Sequence, residues 1–283
     1  MTVAELAVVT FNQPPARPAS LKYTHLAPVG IAALRRYAAR HGYAVYDTAP
    51  PPDDRPACWG KITALASALE RHAWAFWVDA DAVVQPDAAP LAPLIPERGD
   101  LLCEDPASFL GWLGLDRETA RRLQPVHTAV FGLRRSPWTH DLLAAAWARR
   151  EWISKSIPWN GIGEQEAINA VLKRAPELAA GVRYVSDLQA PPALATRATR
   201  FVHFYGDRAR PRWSEAASRR VLARYADDVA AGRASRQPLP LVHWSAIQAT
   251  AASDAAPDRG GPEKFGYDAA MLDAAIRQLV AAA

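Results

Sequence analysis

The stretch Trp74-Ala75-Phe76-Trp77-Val78-Asp79-Ala80-Asp81-Ala82-Val83-Val84 constrains the fold more than any other part of the chain. Trp74 to Val78 is an unbroken apolar run, too short for an independent helix and rich in aromatic and β-branched residues. It predicts a strand buried on both faces of a parallel sheet. Two carboxylates stand where that strand should end. In open α/β sheets ligands bind in the crevice beyond the carboxyl ends of the strands, so Asp79 and Asp81 are expected at a ligand site. Residues i and i+2 of an extended segment share a face, which lets both carboxylates reach one divalent cation. An aspartate after a strand is also a common turn former. The apolar Ala82-Val83-Val84 argues for more than a turn, because an acidic pair pinned between two apolar runs is costly unless a cation neutralises it.

Around this stretch the chain alternates. Leu6 to Phe11 predicts a first, central strand ended by Asn12-Gln13-Pro14-Pro15. Ile31, Leu34 and Ala38 repeat at helical spacing, and His41-Gly42 supplies the stop signal. Tyr43 to Tyr46 is a second strand, and Ile62, Leu65 and Leu69 mark a helix from about Cys58 to His72. Strand, helix, strand, helix, strand is the signature of a doubly wound, mainly parallel sheet. Further strands are expected at Asp100–Cys103, Val126–Leu133, Arg183–Val185 and Phe201–Phe204. Helices are expected at Trp138–Trp152, after Gly161-Ile162-Gly163, at Trp213–Val229 and at Tyr267–Leu279. With 283 residues, 50% of them hydrophobic, the chain divides most simply into one α/β domain over 1–230 and a C-terminal extension over 231–283 with a terminal helix.

The net charge is +4, and the 33 basic residues are scattered without a run of five, which argues against nucleic acid and suits a phosphorylated small molecule. Two cysteines, Cys58 and Cys103, make neither a disulfide framework nor a zinc set. The N-terminus lacks a basic segment followed by a long apolar one, and no window of eighteen apolar residues occurs. These features predict a cytoplasmic protein, at most peripheral to the inner membrane. Heavy use of Ala, Arg and Pro fits a high-GC bacterial genome.

Five motifs follow one another in order: Trp59-Gly60-Lys61, Phe76-Trp77-Val78-Asp79-Ala80-Asp81-Ala82, Val130-Phe131-Gly132-Leu133-Arg134-Arg135-Ser136-Pro137-Trp138, Glu164-Gln165-Glu166-Ala167 and Val202-His203-Phe204-Tyr205-Gly206. Their order and spacing, over most of residues 57 to 213, resemble the glycosyltransferase family of fungal galactosyl and mannosyl transferases and plant xyloglucan xylosyltransferases. The resemblance implies a GT-A fold, a UDP- or GDP-linked sugar donor, a glycan or small-molecule acceptor, Mn²⁺ or Mg²⁺, and retention of anomeric configuration. It makes Asp81 a metal ligand and Asp79 a ligand to the metal or to donor hydroxyls. His203 becomes the candidate third ligand, with His243, in Val242-His243-Trp244, as its competitor. The segment from His203 to Trp213 is also similar to the glycogenin-like retaining transferases. There a lysine holds the cationic position that arginine, Arg208 or Arg210, occupies here.

The same resemblance makes Lys61 a donor contact, against the alternative of a solvated surface lysine beside the apolar stripe. Gly206, with Thr10 and Phe11 at the end of the first strand, completes the candidate donor-binding set. Glu164 and Gln165 open a helix, where acidic residues complement the helix dipole in any case. The functional alternative puts Gln165, or Glu164, beneath the anomeric carbon, stabilising oxocarbenium-like charge. Where the family has Asn-Thr-Gly, this chain has His127-Thr128-Ala129, so His127 is the candidate for that sugar or acceptor contact, and Trp159 is a candidate stacking surface. A phosphohydrolase of the haloacid dehalogenase type also uses Asp-x-Asp after an apolar strand, but on its first strand and with a later acidic pair. A non-catalytic nucleotide-sugar binder is the other alternative.

Overall fold

The computed structural model describes residues 5–12, 27–50, 54–85, 87–110, 116–153, 163–190 and 196–203. Nine strands and seven α-helices lie in these segments: β1 (Leu6–Val9), α1 (Ala27–His41), β2 (Ala44–Tyr46), α2 (Gly60–Leu69), β3 (Trp74–Val78), β4 (Ala82–Val84), β5 (Leu101–Glu104), α3 (Ala107–Leu110), α4 (Arg117–Leu123), β6 (Val130–Arg134), α5 (Pro137–Trp147), α6 (Glu164–Arg174), α7 (Pro176–Ala179), β7 (Val182–Val185), β8 (Gln189–Ala190) and β9 (Phe201–His203). The expected helices at 213–229 and 267–279, and the whole of 231–283, lie outside the described residues.

The main sheet has the order β2-β1-β3-β6-β5-β7. β1 pairs parallel with β2 and β3, and β5 pairs parallel with β7. β6 runs antiparallel to both of its neighbours, with Trp77 opposite Phe131 and Cys103 opposite Phe131. The sheet is therefore mainly parallel, as expected. The correction concerns β3, whose second neighbour runs the other way. A doubly buried apolar run carries no mark of direction, so its sequence cannot distinguish the two cases. The reversal brings the residues leading into β6 beside the end of β3, and the Asp79 amide donates to the Ala129 carbonyl at 2.7 Å.

Alternation along the central strands separates two apolar layers. Ala7, Val9, Ala75 and Trp77 face α2, α5 and α6. Leu6, Val8, Trp74, Phe76 and Val78 face α1 and a second, smaller sheet of order β4-β9-β8. In that second sheet β4 runs antiparallel to β9, with Ala82 opposite His203, and β8 runs parallel to β9. The apolar segment behind the acidic pair is thus a strand of a different sheet.

Local signals explain most element ends. Gly42, at φ 72°, closes α1 with Tyr43 N–H on the Ala38 carbonyl at 2.9 Å, the Schellman arrangement that glycine permits. Ser136 caps α5 by accepting from the Thr139 amide, with Pro137 in the first turn. The helix expected over Cys58–His72 is confined to α2, preceded by a 3₁₀ turn at Ala57–Trp59. The helix expected over Trp138–Trp152 ends at Trp147, with a 3₁₀ turn at Arg150–Trp152.

Candidate metal and ligand site

Asp79, Ala80 and Asp81 join β3 to β4 in a tight turn closed by the Ala82 amide on the Asp79 carbonyl at 2.8 Å. The sequence predicted an extended segment with both carboxylates on one face. The correction has a simple cause: the chain must leave one sheet and enter another within three residues, and only a turn allows that. The two carboxylates still converge, because the second sheet folds back over the end of the first.

His203 ends β9 opposite Ala82, and this register carries its imidazole to the acidic pair. His203 Nε2 lies 3.4 Å from Asp81 Oδ1 and 4.0 Å from Asp79 Oδ2. One ligand atom from each of the three residues falls within 4.8 Å of the others, and among the described residues this is the one such group. Neighbouring ligands of an octahedral ion lie about 3 Å apart and opposite ones about 4 Å, so two carboxylate oxygens and an imidazole nitrogen at these separations suit a hard or borderline divalent cation. Burial pushes the Asp79 carboxyl above its usual range; Lys61 opposes that shift and Asp81 adds to it. A cation beside the pair offsets the same penalty.

Lys61 is not a solvated surface charge. It is 3% exposed, and its ammonium donates to Glu164 Oε1 at 2.6 Å and to the Thr128 carbonyl at 2.8 Å, and pairs with Asp79 Oδ1 at 3.1 Å. Burial alone would lower the Lys61 pKa, but Asp79 and Glu164 outweigh it and hold the group charged. Glu164 is equally committed: its buried carboxylate faces Lys61 and also accepts from the Thr128 hydroxyl at 3.3 Å.

Gln165 Oε1 accepts from the Thr128 amide at 3.0 Å. One turn later Asn169 clamps Val126 at two points, accepting from its amide at 2.8 Å and donating to its carbonyl at 3.0 Å. Residues four apart on a helix share a face, so α6 grips the strand-like segment before β6 at alternate residues and leaves His127 between them. The His127 ring lies edge-on to His203, with centroids 5.4 Å apart, and its Nδ1 accepts from the Ala129 amide. Burial, reinforced by His203 and Lys61, depresses the His127 pKa well below the usual range and keeps the ring neutral.

Thr10 and Phe11 follow β1 at the same edge of the sheet. Thr10 is buried, and its hydroxyl has no partner among the described residues. Phe11 packs edge-on against Trp77 at 5.2 Å, so it acts as core as well as a candidate contact. Trp77 was not singled out from the sequence, yet its indole N–H donates to Asp79 Oδ1. The signal was available, since Trp77 and Asp79 stand two apart at a strand end. Thr128 and Asn169 carried no comparable signal. Gly206, Arg208, Arg210, His243 and Trp159 lie outside the described residues.

The Asp-x-Asp motif stands on the third strand, beside an antiparallel neighbour and joined by a histidine, which is not the arrangement expected of a phosphohydrolase. No helix among the described residues is long and apolar enough to cross a membrane.

No family model matches the chain, and no curated protein matches it by sequence. By structure it is similar to a glycosyltransferase involved in the glycosylation of the major capsid of PBCV-1, at 17% identity and a TM-score of 0.52, over 72% of this chain and 95% of that one. A slighter likeness links it to a Drosophila β-1,4-galactosyltransferase 7 mutant complexed with manganese, UDP-Gal and xylobiose, at 11% identity and a TM-score of 0.38, over 74% of each chain. At that score the second likeness carries no argument. The first shows the architecture: the chain has the mixed α/β, mainly parallel GT-A fold, with an Asp-Asp-His group where its two sheets meet.

Proposed function

We propose that this protein is a metal-dependent glycosyltransferase that moves a sugar, expected to be a hexose, from a UDP- or GDP-linked donor to a glycan or small-molecule acceptor. One observation carries the reading: Asp79 and Asp81, in the turn between the two sheets of a GT-A fold, converge with His203 of the second sheet. A bound Mn²⁺ or Mg²⁺ would supply Lewis-acid neutralisation of the nucleoside diphosphate that leaves.

The remaining roles belong to this chain's own groups. Asp79, Asp81 and His203 hold the cation. Thr10, whose buried hydroxyl meets no partner among the described residues, supports a donor contact beside Phe11, because such a group costs stability unless a ligand engages it. The neutral His127 ring beside His203 offers a hydrogen bond to a sugar or acceptor hydroxyl. Gln165 holds Thr128, its Oε1 accepting from that residue's amide at 3.0 Å and hydroxyl at 3.4 Å, and the same amide group is the proposed neighbour of developing positive charge on the sugar. Glu164, held against Lys61, remains the alternative to Gln165 beneath the anomeric carbon, and the proposed course is same-face attack with retention. Gly206, Arg210, His243 and Trp159 complete the proposed donor, metal and acceptor contacts from beyond the described residues.

Asp81→Ala is expected to abolish sugar transfer and metal-dependent UDP or GDP binding while leaving the far-UV circular dichroism unchanged. Transfer at the wild-type rate in that variant would refute the reading. A thermal-shift screen of nucleotides and nucleotide sugars, with and without Mn²⁺, identifies the donor class. Stabilisation by UDP or GDP only in the presence of Mn²⁺ separates a transferase from a phosphatase.

A further inference from the structure

Asp79 stands between two layers and shows a different oxygen to each. Its Oδ1 faces the layer of α2 and α6, where it accepts from the Trp77 indole N–H at 2.5 Å and pairs with the Lys61 ammonium at 3.1 Å. Its Oδ2 faces the second sheet, toward His203. Trp77 and Lys61 also hold each other, since the ammonium lies 5.1 Å from the indole centroid. Phe11 packs edge-on against the same indole. The Lys61 ammonium is in turn fixed by Glu164 and the Thr128 carbonyl.

We infer that Trp77 and the Lys61–Glu164 ion pair are positioning residues that bind Asp79 Oδ1 and so leave Oδ2 as the single oxygen that Asp79 gives to a divalent cation. The inference rests on the metal-dependent reading above and gives Lys61 a part in it beyond the proposed donor contact. Two physical effects follow. The first is orientation: a carboxylate tethered through one oxygen cannot swing to chelate through both, so the cation keeps room for phosphate oxygens and water. The second is charge. Asp79 and Glu164 pair with the Lys61 ammonium while Asp81 faces His203, so three carboxylates stand with one ammonium, an excess of two that matches a divalent ion. Without Glu164, the full Lys61 charge would act against that ion.

The test is the Mn²⁺ dissociation constant, read by electron paramagnetic resonance of free Mn²⁺ or by calorimetry, with no donor present. Trp77→Phe keeps the packing ring and removes the N–H, and is expected to weaken Mn²⁺ binding about tenfold, the usual scale for losing an outer partner of a ligand. Glu164→Gln is expected to weaken it by at least as much. The paired change Lys61→Met with Glu164→Gln removes one tether at unchanged net charge, so its affinity should fall between the wild type and Glu164→Gln. That ordering is a readout that a merely structural defect does not produce, and it stands if Trp77→Phe fails to fold. Wild-type affinity in both Trp77→Phe and Glu164→Gln, with binding lost in Asp81→Ala, overturns the inference alone. Equal Mn²⁺ binding by wild type and Asp81→Ala overturns the metal reading itself.

Discussion

At the scale of single residues, the site is built from groups that mostly hold one another by hydrogen bonds, and Thr10 stands apart from them. Thr10 is 1% exposed and its hydroxyl meets no partner among the described residues, whereas the buried Lys61, Asn169 and Thr128 all do. Thr10→Val is isosteric and removes the orphan. It is expected to stabilise the free protein by about 1 kcal/mol and to weaken nucleotide-sugar binding, two opposite effects that a melting curve and a titration measure separately. The acidic pair of the metal group was legible in the sequence, because carboxylates pinned between two apolar runs are costly unless a cation neutralises them. The state of Lys61 was not legible. A lysine off the apolar stripe of its helix is by default solvated, and its burial follows from Glu164, a partner 103 positions away along the chain.

At the scale of elements, α1 and the turn between β3 and β4 fit together through a glycine. A Cβ placed on Gly30 would stand 2.6 Å from the Ala80 carbonyl oxygen, in the middle of the Asp79-Ala80-Asp81 turn. Gly30→Ala should therefore cost about 1–3 kcal/mol and also weaken Mn²⁺ binding, since either the helix or the turn must move. Gly132→Ala is the control: its Cβ would meet the Phe76 ring at 2.7 Å, deep between β3 and β6, so it should lower the melting temperature and leave Mn²⁺ affinity unchanged in what remains folded. The helix–strand alternation, the end of α1 and the cap of α5 were readable from local patterns. The direction of β6 and the existence of the second sheet were not, because strands as short as β4, β8 and β9 show no periodicity by which to identify their partners.

At the scale of the whole molecule, one buried carboxylate ties the two sheets together. Glu104, at the end of β5, accepts from the amides of Leu188 and Gln189 at 2.7 and 3.1 Å, where β8 begins. Burial pushes its pKa up to about 7, against the pull of those amides. From about pH 4.5 to about pH 7 the unfolded chain has released this proton while the folded chain keeps it, so stability falls with rising pH across that window and levels off above it. Glu104→Gln is expected to match the wild type near pH 5 and to exceed its stability above pH 7, by at most about 3 kcal/mol, in chemical denaturation at each pH. What the sequence alone determined is which segments are buried, on which faces, and that an acidic pair stands at a strand end, since burial and periodicity are local properties of the chain. What only the tertiary structure decided is which side chains meet there. His203 reaches Asp81 across a second sheet, α6 grips the segment before β6, and Lys61 is buried between Asp79 and Glu164. Each of these contacts depends on strand order and direction, which long-range pairing fixes and no local pattern encodes.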